Sequence, residues 1–245
     1  MKTSLKLSLL VLIVIVVGVA GFVFLYAPSQ TPGAAPVAAP PQQNAPKPVA
    51  TTFSQKQSFN FDNDQLGAIP PYLKADKTGG GTRSEWQVKN DPTAPSTPNV
   101  LAQTSDEKVQ VHFPIAILTG EIYKDLNVSV SFKTVSGTMD QSGGIIFRFD
   151  SAKNYYLLRA SATENDVVLY KYVGGTSSII ASISMMVSAG SWHTLTVVAV
   201  GESIEGYFDG KRVIEARDAT FLSGSVGLRT KADSVTYFDN FLIGY

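Results

Sequence analysis

From residue 51 to Tyr245 no stretch sustains apolar side chains at helical spacing for three turns. In place of helices stands a succession of short runs rich in β-branched and aromatic residues. Examples are "KVQVHF", "LNVSVSFKTV", "GGIIFRF", "NYYLLRAS", "DVVLYKYV" and "WHTLTVVAV". Clusters of Gly, Asp, Asn, Ser and Pro separate them. Many short strands at this spacing predict an all-β fold, an antiparallel β-sandwich or jelly roll.

Two hairpins can be specified. "SIEGYFDGKRVIEA" centres on Asp209-Gly210, a pair suited to a two-residue turn whose central residues both need positive φ. "GGIIFRFDSAKNYYLLRA" predicts a second hairpin with "SAKN" as its loop. If Asp150 pairs with Tyr155, then Ile145, Phe147, Phe149, Tyr156 and Leu158 share an inward face. Ile146, Arg148, Asp150, Tyr155, Leu157 and Arg159 then share the outward face. Trp192 is expected in the core, and Trp86 suits either the core or an exposed platform.

The chain before residue 51 has a different character. Lys2 and Lys6 precede Leu7–Ala27, an uncharged and mostly apolar segment. At ~1.5 Å per residue a helix of that length crosses the ~30 Å hydrocarbon layer, so residues 1–27 predict a signal-anchor. A cleaved signal peptide is the alternative. Either exports the remainder, with the lysines holding the N-terminus in the cytoplasm. Residues 28–50 carry seven of the thirteen prolines and predict a disordered Pro/Ala-rich spacer. Residues 51–245 form the predicted domain. It holds 17 basic and 20 acidic side chains, a formal charge of −3, so nothing invites nucleic acid. No cysteine is present, which removes disulfides, thiolate chemistry and a lipidated cysteine anchor.

The run from Gln141 to Phe241 resembles the concanavalin A-like lectin/glucanase superfamily, in its laminin-G-like and sugar-hydrolase branches. The matching elements come in order: "SGGIIFRFDSAKNYYLLRAS", "VVLYKYVGG", a tryptophan opening "SWHTLTVVAV", the Asp-Gly hairpin, "GSVGLRT" and "YFDNF". The opening "FNFDNDQLGAIPPYL" is similar to exported bacterial domains grouped near the 3-keto-disaccharide hydrolases and family 16 glycoside hydrolases. The resemblance implies a concanavalin A-like β-sandwich. It does not transfer a function, because this sandwich serves lectins, hydrolases and adhesion modules.

Glycoside hydrolysis needs two carboxyl groups across the scissile bond. The E-x-D-x-x-E arrangement of the family 16 enzymes is missing, and Glu164 and Asp166 in "TENDV" read as loop acids. No nucleophile elbow is present either. No catalytic residue is therefore assigned. Sugars present apolar C–H faces and many hydroxyls, which aromatic rings and planar polar groups recognise. Arg148, Asp150, Tyr155, Arg159 and Tyr170 offer that combination on one face. A solubilising cross-strand ladder accounts for the same residues. The resemblance further implies a structural calcium ion where the first and last strands meet, with Asp62 and Asp239 as ligands. The leading reading is a membrane-anchored extracytoplasmic module that binds glycan or cell-envelope polysaccharide. An enzyme acting on (3-keto-)disaccharides and a laminin-G-like protein-interaction module are the alternatives.

Overall fold

A computed structural model describes residues 52–82 and 84–245; the expected anchor and most of the expected spacer lie outside them. Ala50–Tyr245 is one compact unit. Among the described residues it is all strand and connection, without helix. Two antiparallel sheets form a sandwich.

The larger sheet runs in space from β13 (Lys211–Arg217) through β12 (Ser203–Phe208), β11 (His193–Val200) and β6 (Leu126–Ser136). It continues through β15 (Val235–Gly244), β4 (Asn99–Gln103) and β3 (Trp86–Asn90), with β1 (Lys56–Phe59) also pairing with β15. The second sheet runs from β10 (Thr176–Ser184) through β9 (Asp166–Val173), β8 (Asn154–Ser161) and β7 (Ser142–Ser151). It ends with β14 (Ser225–Arg229), β5 (His112–Leu118) and β2 (Leu73–Gly79).

The core lies between the sheets and follows the period-2 pattern of the sequence. Along β6, Leu126, Val128, Val130 and Phe132 are all fully buried, while the residues between them are half-exposed. From the facing sheet, Ile145, Phe147, Tyr156 and Leu158 enter the same cluster, with Phe238 from β15. Burying one side chain of this size contributes about 1.5–3 kcal/mol.

The Asp-Gly turn forms as its chemistry requires. Asp209 and Gly210 have φ of 49° and 75°. His193 Nδ1 and Asp209 Oδ2 are 2.8 Å apart, which ties the turn to the start of β11. Trp192 departs from expectation. It is only half-buried, its indole N–H donates to Thr93 Oγ1 at 3.3 Å, and the Lys133 ammonium lies 5.0 Å from its ring. Trp86 is buried and packs against Phe238.

Two strands differ from the sequence-based expectation. β2, "LKADKTG", escapes a hydrophobicity reading because it is an edge strand whose charges face solvent. β5 begins at His112 and runs on through Pro114 to Leu118, so "KVQVHF" is mostly connection.

Candidate functional site

The "GGIIFRFDSAKNYYLLRA" hairpin forms from β7 and β8, and its inner pairs are Ile145–Leu158 and Phe147–Tyr156. Between Phe147 and Ser151 the register shifts, because β7 carries a bulge there. Arg148 sits in the left-handed region at φ 49°. Opposite it, Gly224 lets the chain entering β14 approach closely; a Cβ there would lie 2.4 Å from the Arg148 carbonyl carbon.

The bulge reverses the facing of the residues that follow. Arg148 was expected on the outer face and is instead fully buried. Its guanidinium donates to the carbonyls of Phe221 at 3.0 Å, Gly201 at 2.7 Å and Lys124 at 3.3 Å. It is a structural tie and does not join a ligand surface. Phe149, expected inside, lies on the outer side with its ring 5.9 Å from that of Tyr155. Asp150 is exposed near the hairpin loop, beside Asn154. It borders a shallow depression with Lys74, Asp76 and Ser223, apart from the residues described next.

The outer face of the seven-stranded sheet carries its own buried cluster of Ile115, Ile117, Ile146, Tyr155, Leu157 and Tyr172. Tyr155 stacks on Tyr172 with centroids 4.5 Å apart, and its hydroxyl meets Thr78 Oγ1 at 3.1 Å. Tyr155 is thus on the predicted face but fully buried, as a support beneath the surface.

Above this support is a cavity of ≈ 160 Å³. Strand register explains its form. Arg229 on β14 sits opposite Gly144 on β7, and Gly144 sits opposite Arg159 on β8. Directly opposed residues point to the same face. Two arginines therefore flank a position that has no side chain. A Cβ on Gly144 would lie 2.7 Å from Leu157 Cδ1 and 2.8 Å from the Leu158 carbonyl oxygen, closer than atoms pack. Tyr170, Tyr172, Phe113 and Leu157 supply apolar wall, and Ser142, Thr230 and Lys231 supply polar wall.

The two arginines differ in their partners. Arg159 donates to Glu164 at 2.9 Å and to Asp166 at 2.6 Å, and its guanidinium lies 5.6 Å from the Tyr170 ring centroid. Lys231 bridges Glu164 at 2.8 Å and Asp140 at 3.0 Å. The Arg159 hydrogen bond, joined by Lys231, outweighs desolvation and holds the Glu164 carboxyl at about 2. Desolvation dominates at Asp166 and raises its pKa despite Arg159. Glu164 and Asp166, read from the sequence as loop acids, are in fact held by one guanidinium. Arg229 is 4% exposed and lies 4.0 Å from the Phe113 ring centroid and 4.6 Å from that of Tyr172. Among the described residues it has no acidic partner.

Among the described residues, four polar atoms of the lining side chains, each screened from solvent, find no hydrogen-bond partner: Arg229 Nη1, Arg159 Nε, Ser142 Oγ and Thr230 Oγ1. Native proteins seldom leave such groups unmet, at about 1–3 kcal/mol each. Of the residues singled out from sequence, Arg159 and Tyr170 line this cavity. Arg229, Lys231, Tyr172, Phe113 and Gly144 were missed. Alternation in "SVGLRT" places Arg229 on the outer face, yet only the pairing of β14 with β7 brings it near Arg159.

Asp62, in the turn after β1, and Asp239, on β15 of the other sheet, do come together. Ser96 joins them, its hydroxyl donating to Asp62 and its N–H to Asp239, both at 2.6 Å. Among the described residues neither acid has an ion-pair partner. Asp239 is fully buried, and desolvation together with the charges of Asp62 and Asp91 pushes its carboxyl up to about 6 despite donors from Ser96 and Asn240. The described residues hold no group of three or more His, Cys, Asp or Glu placed to bind a metal. A calcium shell of six to eight oxygens would thus draw on carbonyls and water.

The model of the 3-keto-alpha-glucoside-1,2-lyase-like domain matches residues 77–244, more than half of the chain. The chain belongs to this family. Among solved structures, a carbohydrate-binding module CBM66 from Bacillus subtilis superposes with a TM-score of 0.59 at 21% identity. The match covers 71% of this chain and 96% of that one. A Bacillus subtilis protein with a galectin-like fold gives a TM-score of 0.50 at 14% identity, covering 74% and 97%. These likenesses agree on a β-sandwich of two antiparallel sheets. The levanase of Bacillus subtilis (strain 168) is 29% identical over 125 residues, 51% of this chain and 18% of the levanase. The chain thus corresponds to less than a fifth of that relative's length.

Proposed function

We propose that this 3-keto-alpha-glucoside-1,2-lyase-like domain binds carbohydrate in the cavity between Arg229 and Arg159. The observation that carries this reading is one cavity that joins the aromatic walls of Tyr170, Tyr172 and Phe113 to the polar side chains of Arg229, Arg159, Ser142 and Thr230. Sugar hydroxyls pair with such polar side chains while the C–H face of the ring packs on tyrosine and phenylalanine. The carbohydrate-binding module among its structural neighbours and the partial match to a levanase agree with this reading. The test is a glycan array probed with residues 51–245 and with the Arg229→Gln variant. Specific spots lost in the variant support the site. A blank array from folded protein would refute it.

A second reading is cleavage of a (3-keto-)disaccharide, and one observation favours it. Glu164 and Asp166 both accept from the Arg159 guanidinium of the cavity wall, at 2.9 and 2.6 Å. Glycoside hydrolysis uses a pair of carboxyl groups. Turnover of a 3-keto-disaccharide that disappears in Asp166→Asn would establish this reading; none in the wild type would dismiss it.

Two further proposals concern the rest of the chain. The apolar segment Leu7–Ala27 anchors the chain in a membrane, and residues 28–50 hold the domain clear on the extracytoplasmic side. Protease accessibility of the domain in intact cells tests this. Asp62 and Asp239 would hold a structural calcium ion, supplying two of its oxygen ligands. Calcium then raises the melting temperature of the wild type and leaves that of Asp239→Asn unchanged.

A further inference from the structure

The polar side chains of the cavity wall are weighted to donors. The Arg229 and Arg159 guanidiniums and the Lys231 ammonium only donate, the hydroxyls of Ser142 and Thr230 donate or accept, and no acidic side chain among the described residues lines the cavity. A neutral sugar hydroxyl brings both a donor and acceptors, whereas a carboxylate brings acceptors alone.

Charge points the same way. Arg159 is answered by Glu164 and Asp166, and Lys231 by Asp140 and Glu164. Arg229 has no acid beside it among the described residues. Register places Asp76 opposite Ile115, and Ile115 opposite Arg229, so the acid in its own row is two strands away, about 9–10 Å. A guanidinium removed from water without a counter-charge is costly. The rings of Phe113 and Tyr172 take up its surroundings but accept no hydrogen bond of carboxylate strength. A guanidinium matches a carboxylate through two parallel N–H donors.

We infer that the sugar bound in this cavity is an acidic one, of the uronate type, with its carboxylate on Arg229 and its ring against Tyr172 and Leu157. The inference rests on the carbohydrate reading above and narrows it to a substrate class. The carboxylate supplies acceptors to Arg229, while the ring hydroxyls meet the polar wall of Ser142, Ser177 and Thr230.

The experiment is calorimetric titration of residues 51–245 with matched probes. These are methyl glucuronide against methyl glucoside, methyl galacturonide against methyl galactoside, and levan as a neutral polymer. Cyclohexanecarboxylate and inorganic sulfate serve as anions without a sugar. At least one uronide is expected to bind about tenfold or more tighter than its neutral partner. Arg229→Gln abolishes that preference. Arg229→Lys, which keeps the charge and loses the fork, retains part of it. Melting temperatures of both variants show that the fold persists. Neutral sugars or levan binding as tightly as the uronides, with loss in Arg229→Gln, would overturn the acidic-ligand inference and leave the carbohydrate site standing. Cyclohexanecarboxylate or sulfate binding as tightly as any uronide would overturn the assignment of a sugar. Folded protein that binds none of the probes would overturn both.

Discussion

Replacing Arg148 with methionine separates a structural arginine from a ligand arginine. Methionine fills much of the volume but donates nothing. The carbonyls of Phe221, Gly201 and Lys124 then lose a charged donor at 2.7–3.3 Å. Each hydrogen bond to a charged group contributes about 1.5–3 kcal/mol, so the three set an upper range. Two effects reduce it. The wild type already bears the cost of burying the guanidinium, and the freed carbonyls recover some bonding from water. A buried acceptor left unmet costs about 1–3 kcal/mol, so three partly rehydrated carbonyls put the loss at about 3–4 kcal/mol. At about 2–4 °C per kcal/mol for a domain of this size, the melting temperature falls by roughly 6–16 °C. Scanning calorimetry measures the fall, and titration well below the transition measures affinity. The expected result is lost stability with ligand affinity unchanged within about twofold. A melting temperature within about 2 °C of the wild type, or affinity lost at full stability, would refute the inward placement of Arg148.

Gly144→Ala forces a Cβ against the Leu158 carbonyl oxygen and into the floor between the arginines. It should destabilise by about 1–3 kcal/mol, read by urea denaturation, and weaken ligand binding in the folded fraction. Asp233 accepts from the N–H groups of Thr138, Met139 and Asp140 and from the Thr138 hydroxyl. Desolvation alone would raise its pKa; these donors prevail and hold it at about 2. Glu164 is also held at about 2 by Arg159 and Lys231. Both pKa values are depressed, so the stability they contribute is present above the ordinary carboxylate range. It is lost as pH falls from about 4 to about 2. Melting temperature against pH should show that slope, and Asp233→Asn should flatten it.

The fold class was legible because sheets declare themselves through local means. Alternation in "LNVSVSFKTV" names the inward residues of β6, and Asp209-Gly210 names its turn, without reference to the rest of the chain. Arg159 and Tyr170 were legible for the same reason, lying on regular stretches where parity holds. Arg148 was not, because a bulge inserts residues that local alternation cannot reveal. β2 was hidden by the charges an edge strand carries.

The sequence by itself determined the antiparallel sandwich, the tight turn and the exclusion of cysteine chemistry. These depend on side-chain period and on φ preferences, which act over a few residues. The tertiary structure alone decided which arginines share a cavity. Arg229 and Arg159 flank the same cavity because β14 and β8 both border β7, although the two residues are far apart in the chain. It also decided that Arg229 would stand without an acid among the described residues, since burial and counter-charge are properties of neighbours in space. Long-range pairing sets those neighbours.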